Sequence, residues 1–383
     1  MKKIFYFIYA VIFNFFSIFP LKKNKVVFLS PHNENFNDSL GAVMEEVIRR
    51  DEFRVVLISG RDLKLDRSVV KKTVSSVGRA ISFFTVKAYH LATAHYVFLN
   101  DNFMPMGKLC FKKNAVITQL WHAEGAFKKF GLDIEQPEDV RELEKAGNAK
   151  LTYVVCSSEE VAPIYANAFG VSDYKVLPLG SARLDWFGKE INNDRLRADF
   201  DKKYPMCRGK QLALYAPTFR DNTADDERIL ENFDVTAFNE RFGDKYALLI
   251  RLHPQVHSNV EIPDGAVDVC DYGNVTELMR LCDFLITDYS SICMDFAIQD
   301  KPVYFYAFDL DRYERDRSFY FDYESYVPGP VAKDFQTLLN LINSTVSETY
   351  RKRRYDFNYS NFGTPDGKAA ERIVDRIIYN KIS

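Results

Sequence analysis

The segment Gln119–Gly131, QLWHAEGAFKKFG, ends an apolar run on a histidine and follows it with a carboxylate, a glycine and two lysines. An imidazole titrates near neutral pH, so His122 at the end of a strand could take a proton from a hydroxyl as a general base. Gly125 would let a substrate approach the backbone closely, and Lys128 would supply a cation nearby. Glu124 puts a negative charge into the same stretch, where it would contact acceptor hydroxyls or simply face solvent. A single loop histidine is more commonly a hydrogen-bonded structural residue. The case for chemistry at His122 therefore rests on what accompanies it.

Three further polar clusters close apolar runs in the second half of the chain. APTFRD (216–221) offers Thr218 and Arg220 as anion donors. RLHP (251–254) offers Arg251, a bidentate fork, with His253 two residues on and Pro254 fixing the exit; the competing reading is an arginine that satisfies backbone carbonyls. His257, three residues after Pro254, reads as solvent-facing. ITDYSSICMDF (286–296) brings Asp288, then Ser290 and Ser291 where a helix should begin. Two hydroxyls and the unpaired N–H groups of a helix start can hold an anion without net charge. An N-cap serine alone is commonplace, and it is the repetition of anion-type clusters that points to phosphate.

These clusters need a scaffold that puts strand ends together. KVVFLS (25–30), FRVVLIS (53–59), HYVFLND (95–101), AVITQLWH (115–122) and LTYVVCSSEE (151–160) read as strands, separated by helical patterns at 39–50 and 66–93, and KVLPLGSARLDWF (175–187) closes the first half. QLALYAPTFRD (211–221), YALLIRLHP (246–254), AVDVC (266–270), DFLITDYSS (283–291) and KPVYFYAF (301–308) repeat the plan, with helical patterns at about 226–243, 274–282 and 291–299. Alternation of this kind predicts parallel sheets covered by helices. The expected fold is α/β, two Rossmann-like doubly wound domains facing a central cleft, with ligands at the carboxyl ends of the strands. The domains are read as 26–195 and 196–383, with the last helix (366–381) able to pack on either.

Composition narrows the function. With 51 basic and 53 acidic residues among 383, nothing global favours nucleic acid, so any anion site must be local. The six cysteines form no C-x-x-C pair and read as reduced thiols. Zinc-hydrolase, P-loop, dinucleotide and G-x-S-x-G signatures are absent from the sequence. Residues 1–25, MKKIFYFIYAVIFNFFSIFPLKKNK, are apolar from Ile4 to Pro20 with lysines on both flanks. A helix of that length is near the lower limit for a span. The flanking lysines favour a helix lying in an anionic headgroup layer, ahead of a single span or a buried first helix.

The motifs QLWHAEGAFKKFG, LGSARLDWF, YAPTFRD, RLHP and TDYSSICMDFAIQDKPVYFY, in that order, resemble those of the CDP-glycerol:glycerophosphotransferase family of wall teichoic acid primases and polymerases. The resemblance runs from about residue 26 to 370. It implies a GT-B arrangement, CDP-glycerol as donor and an undecaprenyl-diphosphate-linked saccharide as acceptor, at the cytoplasmic face of the membrane of a Gram-positive cell. It further implies His122 as the base, with His253, Arg251, Arg220, Thr218, Ser290 and Ser291 holding the diphosphate and Asp288 orienting a histidine or touching the nucleotide. The anion donors would suffice without a metal, while leaving room for Mg²⁺. A homo-oligomer or an envelope-synthesis complex is compatible with this role.

Two departures bear on substrate. The form Trp121-His122-Ala123-Glu124-Gly125 resembles primases more than the W-H-G-T-P of many polymerases, and the chain lacks their long N-terminal extension. The expectation is a primase that adds glycerol phosphate to a lipid-linked disaccharide. The nearest alternative is a CDP-ribitol transferase or a polymerase. Further off stand a nucleotide-sugar glycosyltransferase or epimerase, for which Glu277 and Asp295 are the only carboxylate candidates, and a non-catalytic envelope-assembly scaffold.

Overall fold

The computed structural model of the chain describes residues 2–34, 36, 38–63, 73–220, 229–253, 256, 260–316, 318–344 and 348–381. The expectations for Pro254 and His257 fall outside them. The chain divides into two compact units, Met1–Gly188 with Ser360–Ser383, and Lys189–Tyr359.

Unit 1 is built on a six-stranded parallel sheet of β1 (Lys22–Ser30), β2 (Arg54–Ser59), β3 (Ala94–Leu99), β4 (Val116–Gln119), β5 (Tyr153–Cys156) and β6 (Val176–Pro178), in the order β2-β1-β3-β4-β5-β6. Val26, Val27, Phe28 and Leu29 of β1 are all buried, as a strand covered on both faces requires. The strand order reverses between β1 and β3, which is where open α/β sheets leave a crevice beyond the carboxyl ends.

Two helices show how sequence shapes this unit. The helix α2 (Ser39–Arg50) is capped by the Asp38 carboxylate, which accepts from the Leu40 N–H, and its Leu40, Val43 and Val47 face the core. The terminal helix (Ala369–Ile377) also belongs to unit 1 and packs on α2, burying Ala369, Ala370, Ile373, Val374 and Ile377. Burial of its three branched side chains contributes about 1.5–3 kcal/mol each. Asp185, from LGSARLDWF, receives the N–H groups of Ala369 at 2.9 Å and Ala370 at 2.7 Å and so fixes the start of this helix. That motif residue serves the fold.

The first helix, α1 (Lys2–Phe16), is 15 residues long and packs Tyr9, Ala10 and Phe13 into unit 1. At 1.5 Å per residue it is about 22 Å long, short of a hydrocarbon core. No helix among the described residues is long and apolar enough to cross a membrane. Its opposite face, Ile4, Phe7, Ile8, Val11 and Phe15, is exposed and continues into Ile18 and Phe19. The sequence was apolar all round, and packing turned it into one buried and one exposed apolar face.

Unit 2 carries β7 (Gln211–Tyr215), β8 (Tyr246–Ile250), β9 (Val267–Asp268), β10 (Phe284–Thr287), β11 (Val303–Tyr306) and β12 (Val331–Ala332), all parallel, in the order β12-β11-β10-β7-β8-β9. Counted from β7, this is the 3-2-1-4-5-6 order of dinucleotide-type folds read from the other edge, with its reversal between β7 and β10. β12, two residues long, was too short to show any periodicity in the sequence.

Strands end earlier than the apolar runs suggest. Leu120 N–H still reaches Leu99 O at 2.7 Å, but Trp121 turns to φ 59° and its N–H goes to Gln119 Oε1 at 3.0 Å. That side-chain bond replaces the next rung of the ladder and sends the chain out of the sheet.

Candidate active site

In unit 1 the loops after β1, β3 and β4 bring three titratable groups to the point where the strand order reverses. His32 follows β1, Asp101 follows β3 and His122 follows β4. His32 Nδ1 lies 2.7 Å from Asp101 Oδ2, and His122 Nδ1 lies 3.6 Å from the same oxygen and 3.2 Å from Asn100 O. Both neighbours of His122 Nδ1 are acceptors, so the proton of the neutral ring belongs on Nδ1. The Nε2 lone pair is then the one that can accept a proton. His122 remains exposed while Asp101 is largely covered, with 16% of its side chain accessible.

The Asp101 carboxyl is subject to opposing influences. Burial pushes it up, but the hydrogen bond from His32 and the charges of His122 and His32 outweigh that, holding it below the usual carboxylate range. The His32 imidazole is raised in turn, chiefly by its hydrogen bond to Asp101 and against the effect of burial.

The surroundings hold these loops in place. Gln119, 1% exposed, binds Trp121 N–H through its Oε1 and extends its Nε2 to Asp101 O at 3.4 Å. Trp121 stacks on Phe130, with ring centroids 5.3 Å apart, and meets the His122 ring at 4.2 Å. A non-glycine residue in the left-handed region costs about 1–3 kcal/mol, a strain that concentrates at functional sites. Gly125 also sits at positive φ, 64°, a conformation glycine adopts freely. Glu124 accepts from Ser39 Oγ at 2.9 Å, and that oxygen receives Arg183 N–H at 3.0 Å. Glu124 thus ties its loop to the start of α2. Lys128 is half-buried.

Unit 2 gathers Thr218, Arg220 and Asp288 where its own strand order reverses. Asp288, 2% exposed, accepts from Thr218 N–H at 2.7 Å and Tyr289 N–H at 2.6 Å through Oδ1, while Oδ2 lies 3.0 Å from Arg220 Nη1. Arg220 also meets Asp309 through Nε at 2.9 Å and Nη2 at 3.0 Å, and donates Nη1 to Thr218 O at 2.6 Å. The rings of Tyr289, Tyr313 and Phe308 surround its guanidinium at 5.2, 5.5 and 5.8 Å. Expected as a phosphate donor, Arg220 spends its fork on two carboxylates. Asp288 touches no histidine in these contacts and joins the loops after β7 and β10.

Arg251 has a similar position. Its Nη1 donates to the carbonyls of Val269, Cys270 and Tyr272 at 2.8, 3.1 and 3.0 Å, the arrangement the competing sequence reading anticipated. What remains of the predicted donors is three hydroxyls and one imidazole. The Thr218 hydroxyl is buried without a hydrogen-bond partner among the described residues. Ser290 is half-buried with its Oγ 3.4 Å from Ile292 N, and Ser291 is exposed and makes no side-chain cap to the helix it precedes (Ile292–Ala297). His253 is exposed beside Phe219, ring centroids 4.8 Å apart.

Sequence reasoning missed His32, Asp101, Gln119, Ser39 and Asp309. His32 and Asp101 each stand two residues past the end of a strand, the same signal that selected His122. Asp309 could be found only through its contact with Arg220.

Each unit is thus an α/β fold on a parallel six-stranded sheet, with a polar cluster where its strand order reverses. A solved structure of the wall teichoic acid polymerase TagF shares this fold, with a TM-score of 0.77 and 23% identity over 97% of this chain and 93% of that one. Residues 11–379 match the family described as CDP-Glycerol:Poly(glycerophosphate) glycerophosphotransferase. A teichoic acid poly(ribitol-phosphate) polymerase of Bacillus spizizenii is 33% identical over 98% of this chain, which spans 59% of that protein. A teichoic acid ribitol-phosphate primase of the same species is 32% identical over 94% of this chain and 92% of its own. Teichoic acid glycerol-phosphate primases are among the relatives as well. The chain belongs to this family of teichoic acid polyol-phosphate primases and polymerases.

Proposed function

We propose that the chain transfers a polyol phosphate from a CDP-linked donor to a hydroxyl of an undecaprenyl-diphosphate-linked saccharide, as a primase. His122 Nε2 takes the acceptor proton, the acceptor oxygen attacks the β-phosphorus, the bridging P–O bond breaks and CMP leaves. The observation that carries this reading is the orientation of His122, Nδ1 turned to two acceptors and Nε2 left for substrate. His253 and the hydroxyls of Thr218, Ser290 and Ser291 are the groups proposed to meet the diphosphate. Arg220, Arg251 and Asp288 shape the loops that carry them. Glu124, Gly125 and Lys128 form the acceptor side.

The W-H-A-x-G form supports a primase, CDP-glycerol is the donor the family resemblance implies, and a histidine variant of TagF has been soaked with CDPG. CDP-ribitol is the second reading, favoured by the ribitol enzymes that align along nearly the whole chain. CMP release from each donor, with and without a lipid-linked disaccharide, tests both. Acceptor-dependent release from one donor supports the reading and names the polyol; consumption of neither removes it.

We further propose that the exposed face of α1 rests on the cytoplasmic leaflet. Its apolar side chains run down one side of the helix, and Lys22 and Lys23 are exposed just beyond it. Co-sedimentation with anionic vesicles should fall in a Phe7→Ser/Phe15→Ser variant, whose substituted side chains already face outward. Equal sedimentation of the two proteins would overturn this placement.

A further inference from the structure

In unit 1, Asp101 Oδ2 is a single carboxylate oxygen facing two imidazoles, His32 from the loop after β1 and His122 from the loop after β4. The nearer imidazole, at 2.7 Å, belongs to the histidine for which the proposed reaction has no use. His32 is also the more exposed ring, with 62% of its side chain accessible against 42% for His122.

From this juxtaposition we propose that Asp101 is the positioning residue of the site and that His32 tunes the base by competing for the oxygen that supports it. The proposal rests on the reading of His122 as the base. When His122 takes a proton, its ring becomes a cation next to Asp101, and the carboxylate stabilises that cation. Protonation of His32 places a second cation on the same oxygen and weakens this support, so His122 gives up its proton more readily. The base is thereby kept unprotonated, and usable, to lower pH than it would be beside an uncontested carboxylate.

Other charged groups nearby are engaged elsewhere. The Asp38 carboxylate binds the Asn100 amide and caps α2, and Glu124 is held by Ser39. Gln119 meets only the backbone carbonyl of Asp101, so it fixes the loop without changing the charge on the carboxylate.

Two substitutions separate this from a merely structural role. With His32→Gln, Asp101 supports His122 alone, and the acid limb of the kcat/KM profile should move to higher pH by about half a unit to one unit. With Asp101→Asn, the limb should move to lower pH, and kcat should fall roughly tenfold or more as the ring loses its orientation. General damage to the fold would lower rates without moving the limbs in opposite directions. Coincident acid limbs in wild type and His32→Gln would overturn the proposal.

The same coupling can be read without turnover, from the imidazole proton NMR titrations of both histidines. His122 should titrate at higher pH in His32→Gln than in wild type, and at lower pH in Asp101→Asn. If His122→Ala releases CMP as wild type does, the base assignment fails by itself. The NMR arm then still decides the coupling, and a His122 titration unchanged by His32→Gln overturns it.

Discussion

The two units place polar loops at the same topological position and use them in opposite ways. In unit 1 the imidazoles at the reversal point, His32 and His122, lie at the surface around one covered carboxylate, each with its Nδ1 toward it. In unit 2 the charged groups at the reversal point, Arg220 and Asp288, are inside and paired with each other, Arg220 also meets Asp309, and Ser291 and His253 are the exposed members of the cluster. A fully charged guanidinium held by two carboxylates at a covered site is a brace for the loops. An exposed imidazole whose Nδ1 is turned to acceptors has its Nε2 available to accept a proton. Equivalent positions in two similar sheets thus differ in burial and in how completely each donor is used.

The largest effect should come from breaking the unit 2 brace. Arg220→Ala leaves Asp288 buried without its cation, and urea unfolding should show a loss of about 3–5 kcal/mol. If Arg220 instead met substrate phosphate, the variant would keep its stability and show a raised KM. In unit 1 the corresponding test is His122→Ala, which should lower CMP release by roughly a hundredfold or more with an unchanged unfolding midpoint. A variant that lost stability as Arg220→Ala does would erase the contrast between the units.

A smaller effect is expected where unit 1 uses a charge structurally. Asp185→Ala removes the acceptor at the start of the terminal helix and should cost about 1–2 kcal/mol, seen as faster amide exchange across Ala369–Ile377. The mildest effect is a pH dependence. The His32 imidazole is raised, so its contribution is complete below about pH 6.5 and fades as pH rises through its folded value. The Asp101 carboxyl is lowered, so its contribution is present above about pH 4 and is lost as pH falls through its folded value. The stability difference between wild type and Asp101→Asn should therefore peak near pH 5, between those limits, and shrink by pH 8.

Several features were legible because they depend on local pattern. The helix at 39–50 carries its own cap in Asp38 and its own apolar face, and it forms over those residues. Nearly all the strands were visible as β-branched and aromatic runs, yet their carboxyl ends were overrun by a few residues. The ladder stops where a side chain such as Gln119 or Asp288 takes over the backbone N–H, and no run of residue types records that exchange. His122 was found because strand-end histidines are few. Asp101 was passed over because an aspartate after a strand is ordinary until two imidazoles meet it.

The sequence by itself determined two doubly wound α/β sheets, the segments that form them, the family, and the residue types that could hold phosphate or move a proton. All of these are encoded in periodicity and in short ordered motifs. Only the tertiary structure decided which charges are spent on the fold. Arg220 and Arg251 look alike as donors along the chain, but their partners, Asp309 and the carbonyls of Val269, Cys270 and Tyr272, come from later in the sequence. It likewise decided that the terminal helix closes unit 1 and that α1 buries one side and exposes the other. Burial and partner choice are properties of the packed chain, because they depend on contacts between residues tens to hundreds of positions apart.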